Sequence, residues 1–443
     1  MYLFIHHCDL RIEDNTTLNH LWADNKQVVP IFIFTPEQIE DKQNQYRSSR
    51  AIGFMIQSLV DLEESYQKKD ITLLFFLGNT LDVLEELLKR YGKDIEGVAQ
   101  NMDYTPFARE RDQGVQDYCD QKGKQYICLE DKLLQPISSI LTKQGKSYRK
   151  FTPYFNTARA VAVRKPNTVS PIGFSTIITS SITLEKIQPY LSKDDHIIKG
   201  GRKEGMIRLS QIKKQSDYNH TRNIPKISTT RLSAYLKFGC LSIREVFHHT
   251  LDTLGEDTEL LKQYYWRDFY SMILYYHPNH SEQVSITKPY LETIAWENDG
   301  DKFKKWCEGK TGCPIVDAGM REMNETGYMH NRVRMIVATF LIFYLKIDWR
   351  WGMKYFSRSL VDIDWASNVG NWQWTAGTEI WSNDYYKVFS MESQMKRFDP
   401  KGEYIQTWIK DLDEYNKIQP IIKDNKLARK EGIQLYKEAY SNK

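Results

Sequence analysis

The chain has 443 residues, a formal net charge of +4, 41% hydrophobic residues and 27% charged residues. That balance suits two or three globular domains with a real core, and no apolar run approaches the ~18–20 residues that span a bilayer. The opening "MYLFIHHCDLRIEDN" has neither a basic leader nor a small-residue cleavage site, so a soluble intracellular protein, cytoplasmic by default, is expected.

From Met1 to about Glu130, "YLFIHH", "VVPIFIF", "ITLLFFL", "GVAQN" and "QYICLE" are apolar runs of strand length. Helical periodicity separates them near residues 47–67, 80–91 and 107–122. This alternation predicts a Rossmann-like parallel sheet covered on both faces. It carries no GxGxxG or GxxxxGK[ST] motif, which argues against a conventional dinucleotide or P-loop site. Residues 131–202 read as a linker ending in "KGGRKEG". From 203 to 443 strand signals nearly vanish, and a larger all-α domain is expected. The six cysteines lack CxxC spacing and read as free thiols, with no metal site.

Residues 201–250 hold ten Lys or Arg against three Asp or Glu, a bias that suits phosphate contacts as well as it suits a solvated face. Within it, Thr229, Thr230 and Ser233 flank Arg231 at an expected helix start, where free N–H groups, hydroxyls and a guanidinium can cradle a phosphate. In "QYYWRDFY", Gln263, Trp266, Arg267 and Tyr270 share one helical face. Likewise "MHNRVRM" brings Asn331, Arg334 and Met335 together and turns Arg332 aside, while His330 reads as structural. Asp362 and Asp364 form a DxD pair that could serve a metal-dependent transferase. Arg267 and Arg334 are the expected partners that keep these aspartates ionised.

Ten of the 11 tryptophans lie at or after Trp266. Taken with "TRLSAYLKFGCLS", "YWRDFY", "EGKTGCPIVDAGMRE", "GYMHNRVRM" and "DIDWASNVGNWQW", the sequence resembles the DNA photolyase and cryptochrome family, most closely class I cyclobutane pyrimidine dimer photolyases. The resemblance runs from "DLRIEDN" to about Trp408. It implies an α/β antenna domain at 1–130, a linker at 131–202 and a helical FAD- and DNA-binding domain at 203–443. Tyr218, Thr229, Thr230, Arg231, Leu232 and Ser233 would hold the FAD phosphates and ribitol. Arg267, Arg334, Asp362, Ile363 and Asp364 would also bind FAD, and Asn368 would face the flavin N5. Trp372, Trp349 and Trp306 match an electron-carrying chain from flavin to surface. Trp266 and Trp374 would pack against a flipped-out dimer. Gln263, Arg267, Tyr270, Asn331, Met335 and Gln394 would contact the substrate, and Arg222, Arg332 and Arg397 the flanking phosphates. Trp365 and Trp381 remain as core packing.

The expected activity is light-dependent repair of UV-damaged DNA by a monomer carrying reduced FAD, with no membrane partner. The alternatives are a (6-4) photolyase or a cryptochrome receptor. Gln263 stands where cyclobutane-dimer enzymes usually carry Glu. Asn331 and Met335 replace the histidine-rich pocket motif of (6-4) enzymes, and Asn368 favours repair over signalling. The chain also ends about 35 residues past Trp408, with little room for a regulatory tail. "DYTPFARERD" lacks the folate enzymes' Asn-Glu pair, so a second antenna is expected to be a deazaflavin or a flavin rather than folate.

Overall fold

The structure is a computed structural model that describes residues 1–174, 176–187, 198–281, 285, 287–380 and 388–441. Tertiary contacts gather the chain into two compact units, one of Met1–Ser216 with Thr230–Tyr276, the other of Asp217–Thr229 with His277–Lys443. The sequence boundaries at 130 and 202 follow element type, whereas these units follow packing, so the two divisions differ.

The first unit holds a five-stranded sheet, β1 (Tyr2–His6), β2 (Val28–Phe34), β3 (Leu74–Leu77), β4 (Gly97–Asn101) and β5 (Gln125–Leu129). Their order is β3-β2-β1-β4-β5, and every pairing is parallel. β1, β2 and β4 are buried along their whole length; this is why β1 and β2 read as nearly continuous apolar runs, while β4 buries the polar Gln100 and Asn101 at its carboxyl end. The edge strand β5 is half-exposed. Between them run α1 (Thr16–Ala23), α2 (Ser49–Gln67), α3 (Thr80–Tyr91) and α4 (Pro106–Gln121). Each of these starts on a side-chain cap, Asn15, Ser48, Asn79 or Thr105, that accepts from a first-turn N–H. Among the other helices of this unit are α5 (Phe151–Ala158), α6 (Ile243–Leu254) and α7 (Glu259–Tyr276).

A buried ionic network ties the loop after β1 to α6. Asp14 accepts from Arg244 Nε at 2.7 Å and from the Ser242 hydroxyl; Asp131 accepts from Arg244 at 2.8 Å, from Arg11 and from Thr16 Oγ1 at 2.7 Å. The side chains of Arg11, Asp14, Asp131 and Arg244 are at most 3% exposed. Burial by itself would raise both carboxyls, but Arg244 beside Asp14, and Arg11 then Arg244 beside Asp131, hold them below the usual carboxylate range. Their folded-state pKa values therefore lie under the unfolded value of ~3.9, and the stabilisation is complete above it and lost as pH falls through the folded values. Arg244→Ala should cost about 3 kcal/mol at neutral pH, because it removes the cation that two buried carboxylates share and leaves as ion-pair partners, among the described residues, only Arg11 for Asp131 and the half-exposed Arg164 for Asp14. Denaturant midpoints should show that loss shrinking below about pH 4 as the carboxylates protonate; an undiminished loss there would mean that Arg244 acts by packing alone.

The second unit is helical, with α8 (Gly300–Cys307), α9 (Pro314–Thr326), α10 (Asn331–Thr339), α11 (Trp349–Ser359), α12 (Trp365–Ala376), α13 (Met391–Phe398) and α14 (Asn425–Ser441). α10 and α11 each begin on a side-chain cap, His330 and Asp348, so His330 has a structural task. Gly319 on α9 lies directly against Val333 on α10, and Gly352 on α11 against the indole of Trp372 and Leu341. A side chain at either glycine would push these helices apart, and Gly352 is what lets α11 approach α12 closely enough to form the pocket described next.

Candidate functional site

In the second unit, one turn of α10 and the stretch from Asp362 to Thr375 line an open pocket with a cavity volume of about 90 Å³, among whose walls are Asn331, Arg334, Met335, Asp362, Asn368 and Trp372. Helical spacing brings Asn331, Arg334 and Met335 to this side. Arg334 NH2 grips both oxygens of Asp362 at 3.0 and 2.9 Å, and its Nε donates to Met329 O at 2.8 Å. Burial disfavours the Arg334 charge, but Asp362 outweighs it and keeps the guanidinium protonated. Tyr328 lies under Arg334, 5.3 Å to its ring centre, and its hydroxyl reaches Thr229 Oγ1 at 3.3 Å. The carboxylate of Asp364 is spent on capping α12, accepting from Ser367 N at 2.9 Å. Ile363 and Asp364 both line the pocket, half-exposed, and Tyr218 is buried.

Asn368 donates its Nδ2 to Met353 O at 3.1 Å and to Ser357 Oγ at 3.0 Å, both on α11. A carbonyl can only accept, so the orientation of the amide is decided, and the oxygen Oδ1 is left as the atom it can offer the pocket. The sequence did not reveal Ser357 or Met353 as the residues that orient Asn368.

Among the tryptophans, Trp372 lines the pocket and is 3% exposed, with Phe356 at 5.0 Å and Trp306 at 6.4 Å between ring centres. Trp306 cannot be the surface end of a chain. It is 0% exposed, donates Nε1 to Val337 O at 3.1 Å and packs against Phe303, Tyr355 and Phe356. Trp349 is also 0% exposed, and its indole N–H finds no acceptor among the described residues. Trp296, to which the sequence reading gave no role, differs in exposure. It is half-exposed, and the backbone beside it is laced to the start of α11 by Glu297 N to Lys346 O and Asp348 N to Asn298 Oδ1, both 2.9 Å. Trp374 is half-buried on another face of α12. Trp365, expected in the core, is also half-buried, because its helix turns that side outward; Trp381 lies outside the described residues.

The opposite side of α10 carries positive charge. Arg332 donates to Asn223 Oδ1 at 2.7 Å and lies 4.5 Å over Phe398, while Arg397, exposed on α13, lies 5.1 Å over the same ring. Burial, then Arg397, then Arg222 push the Arg332 guanidinium down to about 10. Three guanidiniums thus crowd one another, which is the field a phosphate would relieve. Gln394, half-buried, sits one turn before Arg397.

The other candidates belong to the first unit. Arg231 has φ +51°, a left-handed backbone rare for a residue with a side chain, immediately before the short helix Ser233–Lys237. Thr230 Oγ1 accepts from Leu232 N at 3.3 Å in the same turn. Gln263 is half-buried and donates Nε2 to Glu259 O at 3.1 Å. Arg267, expected beside Asp362 and Asp364, has its ion pair with the adjacent Asp268 at 3.1 Å and also donates to Lys132 O at 2.8 Å. Burial pushes Asp268 up to about 6 against the pull of Arg267. Trp266, half-buried, stacks face to face on Phe151 with ring centres 3.5 Å apart and planes 6° apart. Tyr270, expected to touch substrate, is 6% exposed and supports Trp266 at 5.6 Å instead.

A small crevice with a cavity volume of about 10 Å³, lined by His7, Cys8, Asp103 and Lys132 among others, lies beyond the carboxyl ends of β1 and β4, where the strand order reverses and open α/β sheets place ligands. Burial, then Arg111, push His7 down to about 3, and it hydrogen-bonds Gln100 at 3.1 Å.

Comparison with known proteins bears on this arrangement. Residues 2–171 match the family described as DNA photolyase, and residues 260–441 match the FAD binding domain of DNA photolyase. Over 425 residues the chain is 32% identical to the deoxyribodipyrimidine photo-lyase of Vibrio cholerae, covering 91% of this chain and 89% of that one. The chain belongs to the DNA photolyase family. Among solved structures, this photolyase is similar to the archaeal photolyase from Sulfolobus tokodaii with two FAD molecules, at TM-score 0.85 and 34% identity over 99% of both chains. It is also similar to a bacterial class III photolyase from Agrobacterium tumefaciens, at TM-score 0.89 and 26% identity, covering 99% of this chain and 98% of that one. The lining carries groups that could hold the family's FAD: an Arg334 nitrogen shared between both oxygens of Asp362, an acceptor oxygen on Asn368 and an aromatic wall at Trp372. Among the described residues no helix is long and apolar enough to cross a membrane, and no cluster of metal-ligating groups is present.

Proposed function

We propose that this photolyase splits cyclobutane pyrimidine dimers in UV-damaged DNA with light, acting as a cytoplasmic monomer. One observation carries the reading. A single turn of α10 presents Asn331, Arg334 and Met335 to the pocket and Arg332 to the arginine cluster with Arg222 and Arg397. A base extruded from a duplex needs both features together, a pocket for the lesion and cations for the phosphates that flank it.

When bound, reduced FAD would supply the light absorption and the one electron, later recovered, that cleavage of the cyclobutane ring needs, so that the net reaction is redox-neutral. The residues do the rest. Arg334 and Asp362 hold the ring system, and Asn368 Oδ1 accepts from an N–H at its edge, since the amide hydrogens are turned to α11. Thr230, Arg231, Leu232 and Ser233, with Tyr218 and Thr229, take the phosphates and ribitol. Trp266, Trp374, Asn331 and Met335 receive the lesion, and Gln263 contacts its bases. For replenishing the cofactor's electron, the chain is Trp372, Trp349 and Trp296. Of the three, Trp372 lines the pocket, Trp349 is buried, and half-exposed Trp296 is the one that solvent reaches.

A second chromophore, a deazaflavin or a flavin rather than folate, would belong beyond β1 and β4. At about 10 Å³ of cavity volume the crevice does not admit a tricyclic ring as it stands, and no step is routed through one. Fluorescence of the small molecules released by denaturation would identify it.

The test uses two duplexes, one with a thymine cyclobutane dimer and one with a (6-4) product, each mixed with photoreduced protein in blue light and in darkness. Light-dependent loss of the cyclobutane lesion alone is expected. Repair of the (6-4) product alone would mean that Gln263 outweighs Asn331 and Met335 in choosing the lesion. Neither lesion changing would leave a photoreceptor as the better reading.

A further inference from the structure

We propose that the stretch from Lys132 to Leu184 forms a second contact surface for the phosphodiester backbone, docked beside Trp266; this rests on the DNA reading above. The chain carries 57 acidic residues, yet none falls among residues 132–184, which hold eight Lys or Arg. Two of the eight are committed, Lys132 to Asp103 at 3.1 Å and Arg164 to Asp14 at 2.6 Å. The other six, Lys143, Lys146, Arg149, Lys150, Arg159 and Lys165, are exposed and make no ion pair among the described residues.

Four of them, Lys143, Lys146, Arg149 and Lys150, fall within eight residues. The chain then enters α5 at Phe151, whose ring stacks on Trp266 at 3.5 Å. The cationic run is therefore anchored to the indole assigned to the lesion. A cluster of like charges without counter-charge repels itself in the free protein and is neutralised by a polyanion. A solvated face would normally intersperse both signs, and this one does not. Phosphates on either side of an extruded dimer supply the matching charge at the matching place.

The experiment is dark binding of the flavin-loaded protein to a duplex carrying one thymine dimer and to the same duplex undamaged, across a range of salt. Lys143→Gln, Lys146→Gln, Arg149→Gln and Lys150→Gln are combined in one variant, with Lys143→Gln plus Lys146→Gln, both in an exposed turn, as a second. Each lost phosphate contact should take about 0.9 off the slope of log K against log salt, so the fourfold variant should be shallower by about 2 or more. Both duplexes should weaken together, leaving the ratio of damaged to undamaged binding in place. Flavin content and melting temperature check folding. An unchanged slope in both variants overturns the proposal, as does a loss seen only in binding to phosphatidylserine vesicles. If the wild-type protein does not prefer the damaged duplex, the lesion reading fails instead, while the slope still decides this surface.

Discussion

Arg334→Ala should purify nearly free of FAD. The substitution removes both hydrogen bonds to Asp362, whose side chain is 4% exposed, and leaves a buried carboxylate facing the pocket without its cation. Breaking a buried pair in this way costs the fold about 3–5 kcal/mol, and the pocket is left with an uncompensated carboxylate where the cofactor would sit. The variant should also lose the donor to Met329 O, so the turn that starts α10 should loosen and the melting temperature fall. Arg334→Lys keeps the charge but not the planar fork, and should fall between the two. The readout is flavin absorbance per protein after purification, with circular dichroism to confirm folding. Full flavin occupancy in the alanine variant would place the cofactor elsewhere.

Trp296→Phe should slow light-driven reduction of the bound flavin by an order of magnitude or more, while Trp306→Phe should change it little. Burial decides the difference. An electron entering from an external thiol needs an indole that solvent reaches, and Trp296 is half-exposed while Trp306 is 0% exposed. Trp306 packs on Trp372 and Phe356, so its replacement costs packing, read as a lower melting temperature without a change in photoreduction at low temperature. Repair by chemically reduced protein should survive Trp296→Phe, because that route bypasses the surface indole. Equal photoreduction in wild type and Trp296→Phe, with loss in Trp306→Phe, would restore the chain first expected from the sequence.

The strands of the first unit were legible because a parallel sheet covered on both faces demands continuous apolar runs, and "VVPIFIF" became β2, buried at every position. The i, i+3, i+4 spacing in "MHNRVRM" put Asn331, Arg334 and Met335 on one side of α10 and Arg332 on another, since a helix has a fixed period. Arg267 shows where that reading stops. Its helical position was clear, but its carboxylate partner is the adjacent Asp268, and sequence spacing does not rank a neighbour against a residue nearly a hundred positions away.

The sequence by itself determined element type, the faces that helices present and the residue types available for a flavin pocket and an arginine cluster, because these depend on local period and side-chain chemistry. Only the tertiary structure decided that Trp306 is sealed by Val337, Phe303 and Phe356, that Trp296 reaches solvent beside the start of α11, and that Met353 and Ser357 leave Asn368 its oxygen rather than its amide hydrogens. Exposure and hydrogen-bond partnership are set by residues distant in the chain, and no local pattern encodes which of two indoles the fold will cover.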